Sequence, residues 1–433
     1  MNYLRVTIGI IQATVLFVSV PTPLSPQPQT ARFQEKRESI LGAAALLFNE
    51  RGVKGATLSA IAANVGLATN SVTFYYRKKE DIATACFLRA IAAIDAVAVA
   101  AAGGPTIHAR LTHFFRNYSL LLSAMELGEQ PPLVYFNDLR ALPSPQLEAV
   151  FGAYIDLFRR VRSLLKGAET VSLSRDDLNA RAHIILSVAN SMRAWFWRYE
   201  ADEYTHIVDR VVDVLMNGFN GAESSWNVTQ RELRWTLATG TSETADSFFR
   251  AANLLVNEQG YRGASIDKIS AKLNVTKGAF YHHHDNKQNL ISECFERTFS
   301  VVREALNLAE TATGAGWDRA CAAARILVRY QLSENGPLLR SSAISALPDQ
   351  EHRDSVRRTM TRLTERMARM VVDGMIDSSV RPLDASVAAQ ISVGLIDAAA
   401  ELTRWVPAAS PDNVSELYVR PIFLGILCSA SGT

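Results

Sequence analysis

The sequence predicts an all-α protein of two tandem units, each a three-helix helix-turn-helix domain followed by a helical bundle. Three observations lead to this fold class. Apolar residues recur at helical spacing, no stretch alternates apolar and polar residues as a half-buried strand would, and a nine-residue segment occurs twice in similar form. The chain has 433 residues, which is too long for one compact core and favours division into two or more domains.

The composition is that of a packed globular protein, with 48% apolar and 20% charged residues. The formal net charge is +2, so any contact with nucleic acid must come from local clusters of Lys and Arg. The four cysteines show neither metal-ligand spacing nor a dense disulfide framework, which indicates a reducing compartment. No nucleophile–base pair or phosphate loop is evident, so we expect neither an enzyme nor a bound cofactor or metal.

The first 31 residues form an apolar and proline-rich extension. The apolar run from Val6 to Val20 would span about 22 Å as a helix, short of the ~30 Å hydrocarbon core of a membrane. It is followed by Pro21, without a small-residue cleavage site. Secretion or membrane anchoring, a dispensable extension and a start codon assigned too far upstream all remain open, and residues 21–30 are expected to be an extended linker.

An internal repeat divides the rest of the chain. Residues 49–57 recur as residues 257–265, so Gly52 corresponds to Gly260, and the same register pairs Lys79 with Lys287 and Cys86 with Cys294. Further along, residues 141–143 match residues 346–348. The duplication therefore predicts a helix-turn-helix domain at 32–95, a helical regulatory domain at 96–220, a linker at 221–241, a second helix-turn-helix domain at 242–302 and a second regulatory domain at 303–430.

The first helix of each unit is expected to end at a glycine. Apolar residues recur at three-to-four spacing before Gly52 and again before Gly260. Glycine is the usual residue after a helix C-terminus because it adopts the left-handed backbone conformation without strain. Thr57 and Ser265 then stand where the N-cap of a short second helix belongs.

A tight turn separates the second and third helices. It contains Gly66 in unit 1 and Asn274 in unit 2, and both residue types tolerate left-handed backbone. We expect two apolar pairs to face inward, Leu67 with Val72 and Val275 with Phe280. Small and polar residues are left facing outward, as suits a helix that lies in the major groove of DNA: Thr69, Asn70 and Ser71 in unit 1, and Lys277, Gly278 and Ala279 in unit 2.

Aromatic and basic residues follow the third helix and are able to hold phosphates beside the groove. They are Phe74, Tyr75, Tyr76, Arg77, Lys78 and Lys79 in unit 1, and Tyr281, His282, His283, His284 and Lys287 in unit 2. The adjacent histidines do not predict a metal site, because successive helical side chains fan out by about 100°. Cys86 and Cys294 are expected to pack in the core and not to act as redox sensors.

Both helix-turn-helix segments resemble the DNA-binding domain of the TetR family of bacterial regulators. The segment from Ala264 to Lys287 follows the family pattern closely. Unit 1 departs from it, because Thr73 stands where the family has a phosphate-contacting Tyr, kept as Tyr281 in unit 2, and Ala68 replaces the usual Ser or Thr cap. The resemblance covers residues 39–91 and 247–299.

This resemblance implies a sequence-specific DNA-binding regulator of transcription, acting as a repressor in the cytoplasm. The residues expected to contact double-stranded DNA are Thr57, Thr69, Asn70, Ser71, Thr73, Phe74, Tyr75, Lys79, Ser265, Thr276, Lys277, Gly278, Tyr281, His282, His283 and Lys287. It also implies that each bundle binds an unidentified small-molecule effector and dimerises through its last two helices. Those helix pairs are predicted at 178–199 with 202–219, and at 384–405 with 413–427.

Two such helix pairs on one chain predict an intrachain pseudo-dimer, with a homodimer of two chains as the other arrangement. Two other functions remain open: a helical ligand-binding protein with one vestigial DNA-binding head, and a membrane-tethered regulator. Aromatic residues are concentrated in the first bundle, where packing explains most of them and some are able to line a ligand pocket. They include Phe114, Phe115, Tyr118, Tyr135, Phe136, Phe151, Tyr154, Phe158, Trp195, Phe196 and Trp197.

Overall fold

The computed structural model describes residues 31–222, 224–226, 243–283, 286–347 and 349–429. The apolar extension, most of the linker, and the side chains of Ala279, His282 and His283 lie outside the described residues, so the predictions made for them stay predictions. The described part consists of helices and turns, with one isolated bridge between Asn220 and Val380 and no strand. The predicted all-α fold class is confirmed.

The two units repeat the same order of helices. Unit 1 contains α1 (Ala31–Arg51), α2 (Leu58–Asn64), α3 (Thr69–Tyr75), α4 (Lys79–Ala101), α5 (Ile107–Glu126), α6 (Ser144–Ser163), α7 (Arg175–Trp195) and α8 (Tyr204–Asn217). Unit 2 contains α9 (Glu243–Gly263), α10 (Ile266–Lys272), α11 (Lys277–His283), α12 (Lys287–Thr311), α13 (Gly316–Leu332), α14 (Gln350–Ile376), α15 (Ala385–Ala399) and the four-residue α16 (Arg420–Phe423). We call α1–α3 with the first half of α4 head 1, and α9–α11 with the first half of α12 head 2; the later helices form bundle 1 and bundle 2.

The first helix of each head ends, and the second begins, at the residues that the sequence predicts. Gly52 (φ 71°) follows the end of α1, and Gly260 (φ 69°) breaks the helical path of α9 at the equivalent position. The Thr57 hydroxyl accepts a hydrogen bond from the Ala60 amide at 3.1 Å, and the Ser265 hydroxyl accepts one from the Lys268 amide at 3.3 Å. Both caps satisfy an amide that would otherwise have no partner inside the helix.

The turn before the third helix is left-handed in both heads, at Gly66 (φ 65°) and at Asn274 (φ 55°). Val72 and Phe280 are fully buried, as predicted. The inward position predicted for Val275 is wrong, because that side chain is 37% exposed. Phe280 is larger than its counterpart Val72 and packs edge-on against Phe248 of α9, so it fills the space beneath the turn and leaves the valine at the rim.

The end of unit 2 differs from the predicted helix pair. Unit 1 closes with α7 and α8 as expected, whereas residues 413–427 form a π-helical turn, Ser415–Val419, followed by α16. Pro421 lacks an amide hydrogen and its ring crowds the carbonyl one turn earlier, so an unbroken α-helix cannot run through this segment. Gly425 (φ 93°) then turns the chain away from the helix axis.

The two units pack on one another through their last helices. α7 lies against α15 and against the π-helical turn of unit 2, and α8 also contacts α15. The Asn179 side-chain amide donates to the Trp405 carbonyl at 2.9 Å, the His183 ring and Tyr418 hydroxyl lie 3.1 Å apart, and the Ile426 amide donates to the Leu215 carbonyl at 2.8 Å. Polar groups of each unit are therefore satisfied by the other.

Apolar packing is continuous from head 1 through both bundles, while head 2 has a core of its own around Phe248, Phe280 and Phe295. Among the described residues, α4 is the one helix long and apolar enough to cross a membrane, and half of its most apolar stretch is buried inside the protein. Packing against α5 and α6 accounts for that apolar character, since α4 lies between its head and its bundle.

Candidate nucleic-acid interface

The outward face of α3 is polar and uncharged. Thr69, Asn70 and Ser71 are all exposed, as predicted. Thr73 is half-buried, and its hydroxyl donates to the Asn70 carbonyl at 2.8 Å, so this group is satisfied within the helix. Head 1 therefore presents small side chains that carry hydrogen-bonding groups, and its hydroxyl at position 73 is turned back onto the backbone.

An aromatic cluster closes the C-terminal end of α3. Phe74 is 76% exposed, and its ring meets Tyr75 edge-on at 5.4 Å between centroids. Phe33 near the start of α1 lies 4.8 Å from the ring of Tyr75 and 6.1 Å from that of Phe74. This packing restricts the rotation of the half-buried Tyr75 ring, while Phe74 keeps most of its ring surface exposed.

The outward face of α11 carries a cation and a phenol. Lys277 is exposed, and its ammonium lies 2.7 Å from the carboxylate of Asp267 on α10, a hydrogen bond that raises the pKa of Lys277. Thr276 and Gly278 are exposed, and Tyr281 is 53% exposed, with its ring packed edge-on against Phe280. The two heads thus offer different chemistry on equivalent helices.

Lys79 and Lys287 begin α4 and α12, where the sequence predicts phosphate contacts. The Lys79 ammonium donates to the Ala56 carbonyl at 3.0 Å, and the Lys287 ammonium donates to the Tyr261 carbonyl and lies 3.8 Å from the centre of that ring. Burial lowers the pKa of both groups, to about 8 for Lys287. Each lysine therefore ties the start of its helix to the turn before α2 or α10.

Sequence reasoning missed two asparagines that join each head to its own bundle. The side-chain amide of Asn49 donates to the Leu133 carbonyl at 2.9 Å and accepts from the Tyr135 amide at 2.7 Å. Asn257 makes the equivalent pair with the Leu338 carbonyl (2.8 Å) and the Arg340 amide (3.0 Å). The signal was present, because both asparagines stand first in the repeated nine-residue segment.

Cys86 and Cys294 are fully buried, and burial raises the pKa of each thiol, to about 12 for Cys86. Neither has the exposed, cation-rich surroundings of a reactive thiolate, which fits the packing role expected for them. Within the described part of the chain, no group of three or more His, Cys, Asp or Glu side chains is arranged to hold a metal ion.

A cavity of about 1910 Å³ lies between the two units. Unit 1 lines it with Tyr154 and Phe158, and unit 2 with Asp397 and Trp405. The Trp405 ring stacks on that of Phe158 with 3.9 Å between centroids and 11° between planes, so an aromatic side chain of one unit crosses into the other. The turns at 52–55 and 260–262 line the same space, which extends from the bundle contact to the heads.

Asp397 differs from the other acidic residues of this cavity in its surroundings and in the pKa of its carboxyl group. Its carboxylate makes no hydrogen bond or ion pair with the described residues, and burial raises its pKa to about 6. The nearby Glu401 differs, because Arg340 lies 2.7 Å from its carboxylate and Arg140 lies 3.9 Å away. One acid in the cavity is thus neutralised by arginines, while the other loses its proton at a cost in folding free energy.

Replacing Asp397 by Asn should stabilise the protein at pH 7.5 by about 2 kcal/mol, since the raised pKa of this half-buried acid means that its charged form is disfavoured in the folded protein. In the wild type, Asp397 is protonated in both the folded and the unfolded chain below about pH 4, so it costs no stability there. The free energy of unfolding falls as the pH rises from about 4 through about 6, because the unfolded chain loses this proton before the folded protein does. Urea unfolding of both proteins at pH 4.5 and 7.5 measures the difference.

The exposed Asp373 on α14 supplies the matched control, because Asp373→Asn makes the same chemical change without burial. A gain of equal size at both pH values for Asp397→Asn would contradict the assignment of the effect to the ionised Asp397 carboxylate.

Two segments of the chain, residues 40–86 and 248–294, match the protein family described as "Bacterial regulatory proteins, tetR family". The chain is 42% identical over 74 residues to the Transposon Tn10 TetC protein of Escherichia coli, a match covering 17% of this chain and 37% of that protein. It is 34% identical over 61 residues to the biofilm operon icaADBC HTH-type negative transcriptional regulator IcaR of Staphylococcus epidermidis, covering 14% and 33%. The matches span about a third of the length of these curated relatives.

The solved structures that match part of this chain include the TetR family transcriptional regulator PfmR from Thermus thermophilus, with 20% identity and a TM-score of 0.35. That match covers 41% of this chain and 97% of PfmR. A bacterial regulatory protein in the tetR family from Rhodococcus RHA1 matches at 20% identity and a TM-score of 0.33, covering 45% of this chain and all of that one.

Proposed function

Because the chain carries two TetR-type DNA-binding domains in tandem, we propose that it is a sequence-specific transcriptional repressor of the cytoplasm whose two heads bind two half-sites from a single chain. The observation that carries this proposal is the packing of α7 and α8 on α15 and the π-helical turn within one chain. In a symmetric regulator a second copy supplies the equivalent helices. Here the chain supplies both sets, as an intrachain pseudo-dimer.

The proposed contacts with bases come from the outward faces of the third helices. Thr69, Asn70 and Ser71 serve in head 1, and Lys277 and Gly278 in head 2, since small and polar side chains let the helix approach base edges. The proposed phosphate contacts come from the flanking positions, which fix the position of each head on the duplex. They are Thr57, Thr73, Phe74, Tyr75 and Lys79 in head 1, and Ser265, Thr276, Tyr281, His282, His283 and Lys287 in head 2.

The cavity between the units is the proposed site of the small-molecule effector. Its walls belong to both units, and its far end is formed by the turns that connect the first two helices of each head. A ligand that binds better to one arrangement of the heads than to the other shifts the population toward that arrangement. Repression is favoured by the name of the relative IcaR, which is described as a negative regulator.

The proposal predicts an asymmetric operator bound by one chain. Selection from a random DNA pool should yield two unlike half-sites whose centres lie about one or more whole helical turns apart on one face of the duplex. Sedimentation of the complex should give one chain per operator. Lys277→Ala should weaken binding about tenfold through changes in one half-site alone, as expected for the loss of one base contact.

Lys166→Ala is the matched control, because Lys166 is exposed on bundle 1, away from both heads. A palindromic operator bound by two chains would refute the pseudo-dimer and favour homodimerisation. Protection of one half-site alone would favour a ligand-binding protein with a vestigial head 1, for which the internally bonded Thr73 hydroxyl and the uncapped start of α3 at Ala68 are the supporting observations.

A further inference from the structure

The two heads meet at a contact that we call the seam, formed by residues 52–57 of head 1 and 260–265 of head 2. The guanidinium Nε of Arg262 lies 3.2 Å from the place where a Cβ on Gly55 would stand. The ammonium of Lys54 lies 3.4 Å from the equivalent place on Gly263. Lys54 corresponds to Arg262 in the repeat, and Gly55 to Gly263, so each cation lies against the glycine of the other unit.

This reciprocity is the mark of a two-fold arrangement, in which residue i of one copy meets residue j of the other and j meets i. The glycines are required locally as well, because a Cβ on Gly55 would stand 2.0 Å from the Arg51 carbonyl oxygen. The seam is therefore a built contact between the heads, and it lies on the approximate two-fold axis that relates them.

The seam gathers positive charge. Besides Lys54 and Arg262, the ammonium groups of Lys79, Lys268 and Lys287 donate to carbonyls of the same two turns, at Ala56, Gly263 and Tyr261 respectively. Burial is the main cause of the lowered pKa of Lys79 and Lys287, and the charge of Arg262 adds to it, across the seam for Lys79 and within head 2 for Lys287. Among the described side chains, Glu80 supplies the carboxylate that opposes this lowering of the Lys79 pKa.

Cations held this close repel one another, and the repulsion is strongest where water is partly excluded. An anion on the axis would convert that repulsion into attraction from both heads at once. Guanidinium and ammonium groups suit a phosphate, because several donors are able to engage its oxygens together. An open groove of about 750 Å³ beside the seam, lined by Lys54, Lys78, Lys79 and Lys268, gives access to it.

We propose that the seam binds a phosphate group, supplied by the DNA backbone at the centre of the operator or by a free phosphate-bearing ligand, and that the bound phosphate holds the two heads at a fixed separation. The DNA source rests on the proposed function, whereas the free ligand does not. With a phosphate in place, the heads present their third helices at one spacing. Without it, repulsion between the cations weakens the contact between the heads.

The test compares the full-length wild type with the double variant Lys54→Ala/Arg262→Ala. The control is Arg175→Ala/Arg369→Ala, which removes two exposed positive charges from the bundles. A charge-retaining exchange, Lys54→Arg/Arg262→Lys, separates loss of charge from loss of packing, and circular dichroism checks the fold of each. Two quantities are measured: the salt dependence of operator affinity, and the heat of titration with inorganic pyrophosphate in the absence of DNA.

If DNA supplies the phosphate, the double variant should bind the operator about tenfold more weakly, with a slope of log affinity against log salt that is shallower by about one. The control and the exchange variant should keep the wild-type slope. If a free ligand supplies the phosphate, the double variant should keep the wild-type slope of log affinity against log salt. It should lose pyrophosphate binding, which the control and the exchange variant retain.

Unchanged salt slope together with unchanged pyrophosphate binding in the double variant would overturn the proposal, as would equal losses in the control. A wild type that binds no selected DNA would count against the proposed function, and the pyrophosphate titration would still decide whether the seam holds a phosphate.

Discussion

Replacing Arg181 by leucine should lower the free energy of unfolding by about 3 kcal/mol, the scale expected when a buried, hydrogen-bonded charge loses its place and leaves its partners unsatisfied. Arg181 lies on α7 and is 1% exposed. Its guanidinium donates to the carbonyls of Ile426 and Cys428 in unit 2, each at 2.8 Å. Asp177 on its own helix lies 3.6 Å away. A leucine would bury two carbonyls without donors and break the link between units.

The measurement is urea unfolding followed by circular dichroism, with Arg175→Leu as the control, because Arg175 is exposed at the start of the same helix. Arg181→Leu should also lose much of the gain in affinity that a two-half-site operator has over a single half-site, since the contact between units holds both heads on one DNA. A loss below about 0.5 kcal/mol, the usual range for a surface substitution, would show that the carbonyls of Ile426 and Cys428 find water instead.

Substitutions at two equivalent positions of the heads, 73 and 281, should change DNA affinity in opposite directions. Tyr281→Phe should weaken operator binding about tenfold, and Thr73→Tyr should strengthen it by a similar factor, as expected for a hydrogen bond to a charged phosphate. Tyr281 is held by the edge of the buried Phe280 and remains 53% exposed. The Thr73 hydroxyl is shorter and already donates to the Asn70 carbonyl.

Fluorescence anisotropy with the selected operator measures both variants, and Tyr199→Phe in bundle 1 serves as the control for loss of a phenol elsewhere. Because phenylalanine and tyrosine are both neutral, the slope against salt should stay constant while affinity changes. A tenfold loss with Tyr199→Phe, or no change in either head, would show that position 281 does not reach the duplex.

The parts of the fold that were predictable from sequence depend on neighbours in the chain. The caps at Thr57 and Ser265, the glycine after α1 and the left-handed turns at Gly66 and Asn274 each involve residues a few positions apart. The internal repeat places the same local signals in both units. The polar outward face of α3 was predictable for the same reason, since helical spacing and the buried Val72 decide which side chains face outward.

Other predictions failed, or were never made, because they depend on what packs against a segment. Phe280 packs against Phe248 of α9, a residue 32 positions earlier, whereas Val275 stays 37% exposed. The helix predicted at 413–427 contains a π-helical turn, Ser415–Val419, ahead of Pro421, whose ring and missing amide hydrogen are incompatible with regular α-helix one turn earlier. The carbonyl partners of the Lys79 and Lys287 ammonium groups were never predicted, because each lies more than 20 residues away along the chain.

The sequence by itself determined the all-α class, the duplication and the location of the two helix-turn-helix segments, because helix periodicity, capping and turn formation act over a few residues. Only the tertiary structure decided that α7 packs on α15 within one chain, that a cavity opens between the units, and that Lys54 and Arg262 cross to the opposite glycines. Those features join residues about 200 positions apart. The free energy of these contacts comes from shape and charge complementarity between two surfaces. Helical periodicity shows which face of a segment is apolar, but it does not specify which other surface that face will contact.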